Sequence, residues 1–160
     1  MADEQTPHAA ASTHAHALVT AVDDVEDAGK ALDQRVRGAL GVNNTDLAVL
    51  QYLDRMQRRG NSARVGDIAA RFGVSSGSAT EIVHRLTSAG LVHRVPHPTD
   101  ARVRRLELTP VATTRLEEVL GPVRVDLDAL LDSISPEEEV RLIQLLGHVR
   151  DIFRSASSAG

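Results

Sequence analysis

The apolar pattern of this chain leaves the helical period at Gly90 and returns to it at Pro110, and that interruption restricts the fold more than any other feature. Before Gly90, apolar residues recur at helical spacing; after it come two short stretches, Leu91–Val95 and Val103–Thr109, that are β-branched or alternate. Pro96, Pro98 and Asp100 punctuate the gap, so the pair reads as a hairpin whose loop runs from Pro96 to Arg102. Upstream, Val65–Phe72 makes a short helix with Ile68, Ala69 and Phe72 inward, and Gly73 stops it by accepting a left-handed backbone. Ser75 then caps a helix over Ser76–Ala89 whose inner face is Ala79, Ile82, Val83 and Leu86. Helix, turn, helix and hairpin in that order predict a winged helix.

Helices flank this block on both sides. Leu18, Val22, Val25, Gly29, Leu32 and Val36 follow one another at steps of three and four, a stripe sustained to the Gly/Asn-rich loop at 38–44. Asn44 or Thr45 is expected to cap the next helix, which carries Leu47, Leu50, Leu53 and Met56. Pro110 opens a helix with Leu116, Leu120, Val123 and Leu127, in which Pro122 predicts a kink or short break. Ser135 and Glu138, with Pro136 between them, form a capping box before a last helix bearing Val140, Ile143, Leu146, Val149 and Phe153. The expected fold class is therefore mainly α (α+β). Its expected organisation is a disordered tail over 1–15, an N-terminal dimerisation helix over 16–40, a winged helix-turn-helix lobe over 45–109 and C-terminal dimerisation helices over 110–155.

Composition removes many functions. No cysteine occurs, which excludes disulfides, thiolate metal sites and thiol chemistry. Tyr52, Phe72 and Phe153 are the only aromatic residues, too few for a platform that stacks single-stranded bases. Seven histidines invite a metal reading, but His14 with His16 and His93 with His97 supply only pairs, so no metal and no cofactor is expected. Phosphate-loop, nucleophile-elbow and zinc-protease motifs are missing, which argues against an enzyme. The acidic start at Asp3 and Glu4 is followed by no apolar run of the ~18 residues that a membrane span requires. A cytoplasmic, nucleoid-associated protein is the expectation.

Charge is unevenly distributed. The net charge of −4 conceals ten arginines against four acids between Gln51 and Arg105, an excess of six positive charges. Residues 1–50 hold three bases and eight acids, and residues 106–160 hold five and ten, so each flank carries an excess of five negative charges. One segment suits a polyanion and the flanks do not. Within that segment Ser76, Gly77, Ser78, Thr80, Glu81, His84 and Arg85 lie outside the apolar stripe of their helix, as a helix reading the major groove requires. Ser75 stands at its start, where free N–H groups attract phosphate. Arg94, Asp100, Arg102 and Arg104, with Arg105, put charge on the hairpin, where arginine suits the narrow minor groove.

These residues resemble the MarR family of bacterial transcriptional regulators. The resemblance rests on Val65–Ser75, Ala79 with Thr80, Val83–Leu86, Ala89–Val92, Pro98–Arg102 and Leu106–Pro110, and extends from about Thr45 to Leu131. It implies a homodimer with intertwined terminal helices on a pseudo-palindromic double-stranded DNA operator, recognition helices in major grooves and wings over minor grooves. It also implies that Asp100 orients Arg102, and that repression is relieved by a small, often aromatic, effector. Ala101 departs from the frequent Asp-Arg-Arg of the wing, and the lack of cysteine excludes the peroxide-sensing branch. For an effector, Leu47, Gln51 and Tyr52 are the candidate contacts. The alternative is a winged helix used as a protein-interaction module without DNA binding.

Overall fold

A computed structural model describes residues 7–96 and 104–158, the side chains of 7–15, 157 and 158 excepted. Among the described residues six helices and a two-stranded sheet follow in the order α1 (Pro7–Leu40), α2 (Asn44–Arg58), α3 (Val65–Phe72), α4 (Ser76–Ser88), β1 (Val92–Pro96), β2 (Arg104–Leu108), α5 (Pro110–Leu131) and α6 (Pro136–Ser158). The chain forms two compact units, one ending at Val119 and one beginning at Leu120. Among the described residues no helix is long and apolar enough to cross a membrane.

The first unit holds an aliphatic core. Leu47, Val49, Leu50 and Leu53 of α2 are buried with Ile68 of α3 and with Ala79, Ile82, Val83 and Leu86 of α4. Leu91, Val92, Leu106 and Leu108 close it from the hairpin, and Val36, Leu40, Ala112 and Leu116 complete it from α1 and α5. Each set repeats at the spacing of its element, so one face of every helix is dry and the other wet. Gly73 and Gly90 terminate α3 and the α4 turn with φ of 63° and 69°, the left-handed geometry that a side chain resists.

The hairpin is antiparallel, with Val92 opposite Leu108 and Pro96 opposite Arg104. Its root has a third strand-like partner that the sequence does not announce. Ala63, in the connection between α2 and α3, bridges to Leu106, whose N–H donates to the Ala63 carbonyl at 2.7 Å. Two residues on, the Leu108 N–H donates to Gln57 Oε1 of α2 at 2.9 Å. The wing is thus fastened to the rest of the unit through backbone groups.

Three local expectations are corrected. The helix expected from residue 16 begins at Pro7, so 7–15 are helical rather than tail, and 1–6 lie outside the described residues. Alanines at 9–11, 15 and 17 have the highest helix propensity, and proline is tolerated at a first helical position, so no apolar stripe is needed. The cap of α2 is Asn43, not Asn44 or Thr45, and its side chain accepts from the Asp46 N–H at 2.8 Å. Of the kink or short break expected at Pro122, the break does not occur: α5 stays helical through Pro122, which lacks the one N–H that would have bonded the Glu118 carbonyl.

The second unit comprises the rest of α5 from Leu120, and α6. Its capping box forms as expected: the Ser135 N–H and hydroxyl donate to Glu138 Oε2 at 2.9 and 2.8 Å. Its helices carry exposed apolar side chains, among them Val125, Leu130, Ile143 (61%), Leu146 (63%) and Phe153.

Candidate nucleic-acid interface

α4 is built to show a polar face. Burial of Ala79, Ile82, Val83 and Leu86 fixes its rotation, and Ser76, Gly77, Ser78, Thr80, Glu81, His84 and Arg85 are left exposed. Ser75 is the N-cap, accepting from the Ser78 N–H at 3.1 Å, and its hydroxyl also lies 3.0 Å from the Ser78 hydroxyl. Thr80 donates its hydroxyl proton to the Ser76 carbonyl at 2.8 Å, so what it offers outward is an acceptor oxygen and a methyl group. A Cβ on Gly77 would meet only Ser75 Oγ, at 3.7 Å, an ordinary contact. The missing side chain there is not demanded by the fold.

Arg85 differs from its neighbours on that face. Its Nε and Nη2 donate to Oδ2 and Oδ1 of Asp46 at 3.1 and 2.6 Å, a forked pair joining residues 39 apart in the chain. The Asp46 side chain is 7% exposed and that of Arg85 50%. Hydrogen bonding to Asp46 raises the Arg85 pKa further above the usual arginine range, so the guanidinium keeps its charge at all working pH values.

On the wing, Arg94 and Arg104 are exposed, whereas Arg105 is half-buried and pairs with Glu107 at 3.0 Å. His93 Nε2 lies 3.6 Å from the same carboxylate. Asp100 and Arg102, at the expected tip, lie outside the described residues. The structure therefore brings Arg94 and Arg104 onto one hairpin and leaves the tip undescribed.

The three residues named for an effector are occupied with the fold. Leu47 is in the core, Gln51 Nε2 donates to Asp33 Oδ1 of α1 at 2.7 Å, and Tyr52 meets Phe72 edge to face with ring centroids 6.0 Å apart. A cavity of about 390 Å³ in the first unit is lined instead by Asp54, Gln57, Arg58, Leu108, Thr113 and Glu117. Burial opposes the charge of Arg58, but hydrogen bonds to Glu117 and Asp54 outweigh it and raise its pKa. Sequence reasoning misses Asp46, Asp54, Arg58 and Glu117. The spacing of Asp54 to Arg58, four residues on one helix, is the available signal.

Residues 40–103 match the model of the MarR family. This segment belongs to the MarR family. The MarR-type lobe includes α2, α3, α4 and β1, the elements that position the polar face just described. An uncharacterized HTH-type transcriptional regulator of Bacillus subtilis (strain 168), YcgE, is 27% identical over 122 residues, 75% of each chain. A mutant MepR from a multidrug resistant S. aureus clinical isolate superimposes with a TM-score of 0.60 at 18% identity, over 86% of this chain and 96% of that one. Another S. aureus MepR mutant, solved bound to an oligodeoxyribonucleotide, gives 0.52 at 20% identity over 86% and 97%. At such identities the likeness of the solved structures concerns the fold, a winged helix with helices before and after it. Among the described residues no group of three or more His, Asp or Glu side chains is arranged to hold a metal ion.

Proposed function

We propose that this chain is a transcriptional regulator that binds double-stranded DNA in a sequence-specific manner, as a homodimer on a pseudo-palindromic operator. The observation that carries the reading is the split character of α4, with one face packed in the core and the other a row of short polar side chains around Gly77. Exposed Arg94 and Arg104 on the adjoining hairpin, within the segment of positive charge, support phosphate contacts beside that helix. Asp100 and Arg102 belong to the same proposed contact set. The oligodeoxyribonucleotide bound by the MepR mutant is a precedent on a similar fold.

Exposed apolar side chains on α1 (Leu18, Val19, Val25), α5 and α6 support a second copy of the chain as partner, since such surface is seldom left open to water. The finer reading is a repressor of the cytoplasmic nucleoid released by a small-molecule effector. The cavity beside Arg58 supports it, because its lining of Leu108 with Gln57, Arg58 and Thr113 combines an apolar wall with polar groups that can orient a small molecule.

Titration of the protein against its own upstream DNA and against a shuffled duplex, by fluorescence anisotropy at several salt concentrations, tests the proposal. Preference for the upstream fragment and a steep fall of affinity with salt are expected. Equal, weak or salt-independent binding of both would favour a protein-interaction module instead.

A further inference from the structure

Asp46 has no part in the reading above, and Arg85 enters it only as one exposed residue of α4; their geometry assigns the pair a further role. Asp46 stands in the first turn of α2, where its own N–H is held by Asn43, so the carboxylate projects from a fixed point. Both of its oxygens are taken by Arg85, and its side chain is almost dry. Arg85 lies about two helical turns beyond Ser78 on the same flank of α4, at the edge between the packed stripe and the polar face. Burial of Ala79, Ile82, Val83 and Leu86 sets which face of α4 is inward, and a forked ion pair at that edge adds a directional restraint on rotation and sliding.

We infer that Asp46 is a positioning residue for the recognition helix: it holds Arg85 so that α4 presents Ser76, Ser78 and Thr80 at one depth and rotation. Arg85 then acts through Asp46 and not as a phosphate contact. With Nε and Nη2 committed to a nearly dry carboxylate, the guanidinium plane is set by Asp46, and leaving it for a phosphate would strand that carboxylate. Lysine keeps the charge but lacks the planar fork, so it can serve a phosphate and cannot reproduce this clamp. The inference rests on the DNA-binding reading for its consequence, but the clamp itself exists in the free protein.

The test compares wild type with Arg85→Lys, Arg85→Gln and Asp46→Asn, each checked for folding by circular dichroism. Two measurements are made: amide hydrogen exchange across α4 in the free protein, and operator affinity as a function of salt. Arg85→Lys and Asp46→Asn are each expected to speed exchange in α4 and weaken operator binding by about three- to tenfold. The slope of log affinity against log salt is expected to stay at the wild-type value in all variants, and Arg85→Gln with Asp46→Asn together to lose no more than Arg85→Gln alone. A slope reduced by about 0.9 in Arg85→Gln, with Arg85→Lys at wild-type affinity, would make Arg85 a phosphate contact and overturn the inference. If wild type binds no duplex, the functional reading falls, and exchange rates decide the clamp alone: unchanged rates in Arg85→Lys and Asp46→Asn overturn it.

Discussion

The hydroxyl of Thr109 donates to the Gly90 carbonyl at 2.7 Å while its oxygen accepts the Ala112 N–H at 3.2 Å. One side chain therefore closes the turn after α4 and caps the first turn of α5. Thr109→Val keeps the shape and removes both bonds, and is expected to cost about 1 kcal/mol. Urea denaturation should show a lower midpoint with an unchanged slope, and Thr109→Ser should restore most of it. A Val variant as stable as wild type would mean that water replaces both bonds.

Gly77 separates stability from binding. Glycine inside a helix is costly, and a Cβ there meets only Ser75 Oγ at 3.7 Å, so Gly77→Ala is expected to stabilise the fold by about 0.5–1 kcal/mol. The same methyl group stands on the face proposed to meet DNA and should weaken operator binding. Thermal melts and anisotropy titrations on one preparation check the opposite signs. Tighter or equal operator binding would remove Gly77 from the interface.

Ile143 is 61% exposed in the single chain, so a charge there does little to the helix itself. In a homodimer that covers α6 the same charge would be buried without a partner. Ile143→Glu is accordingly expected to shift sedimentation from dimer to monomer, with helicity by circular dichroism little changed. A dimer that survives this change is held together elsewhere.

The capping box of α6 sets a pH dependence. Hydrogen bonds from the Ser135 backbone and hydroxyl hold the Glu138 carboxyl below the usual range. A carboxyl whose pKa is lower in the folded state stabilises above its unfolded pKa, and that stabilisation is lost as pH falls through the folded value. Fraying of the α6 N-terminus is therefore expected only on acidification below the usual carboxylate range. The Ser135 amide chemical shift, followed by NMR in wild type and Glu138→Gln, reports it; identical acid profiles would show that the box carries no such linkage.

What could be read from sequence was whatever repeats within one element. The stripes through Leu47, Leu50 and Leu53 and through Ala79, Ile82, Val83 and Leu86 are buried as their spacing demands, and Ser75 and Ser135 cap as their positions suggest. Features made by residues distant in the chain left no such mark. Nothing local to Asp46 points to Arg85, and nothing local to Ala63 points to Leu106. Asn43, Asn44 and Thr45 are all competent caps, so the choice among them depended on where the dry face of α2 had to begin. The same limit applied to the site: the exposed face of α4 follows from its period, but which of its polar groups are already engaged by the protein does not.

The pairing of Ala63 with Leu106 gives the α2–α3 connection a mechanical role. With the Leu106 N–H moored to the Ala63 carbonyl and the Leu108 N–H to the Gln57 side chain, the root of the hairpin is clamped by Ala63 and Gln57. A change in the short run around Ser62 and Ala63 would tilt the strands that carry Arg94 and Arg104, so selection for altered operator choice could act on residues outside the proposed contact set.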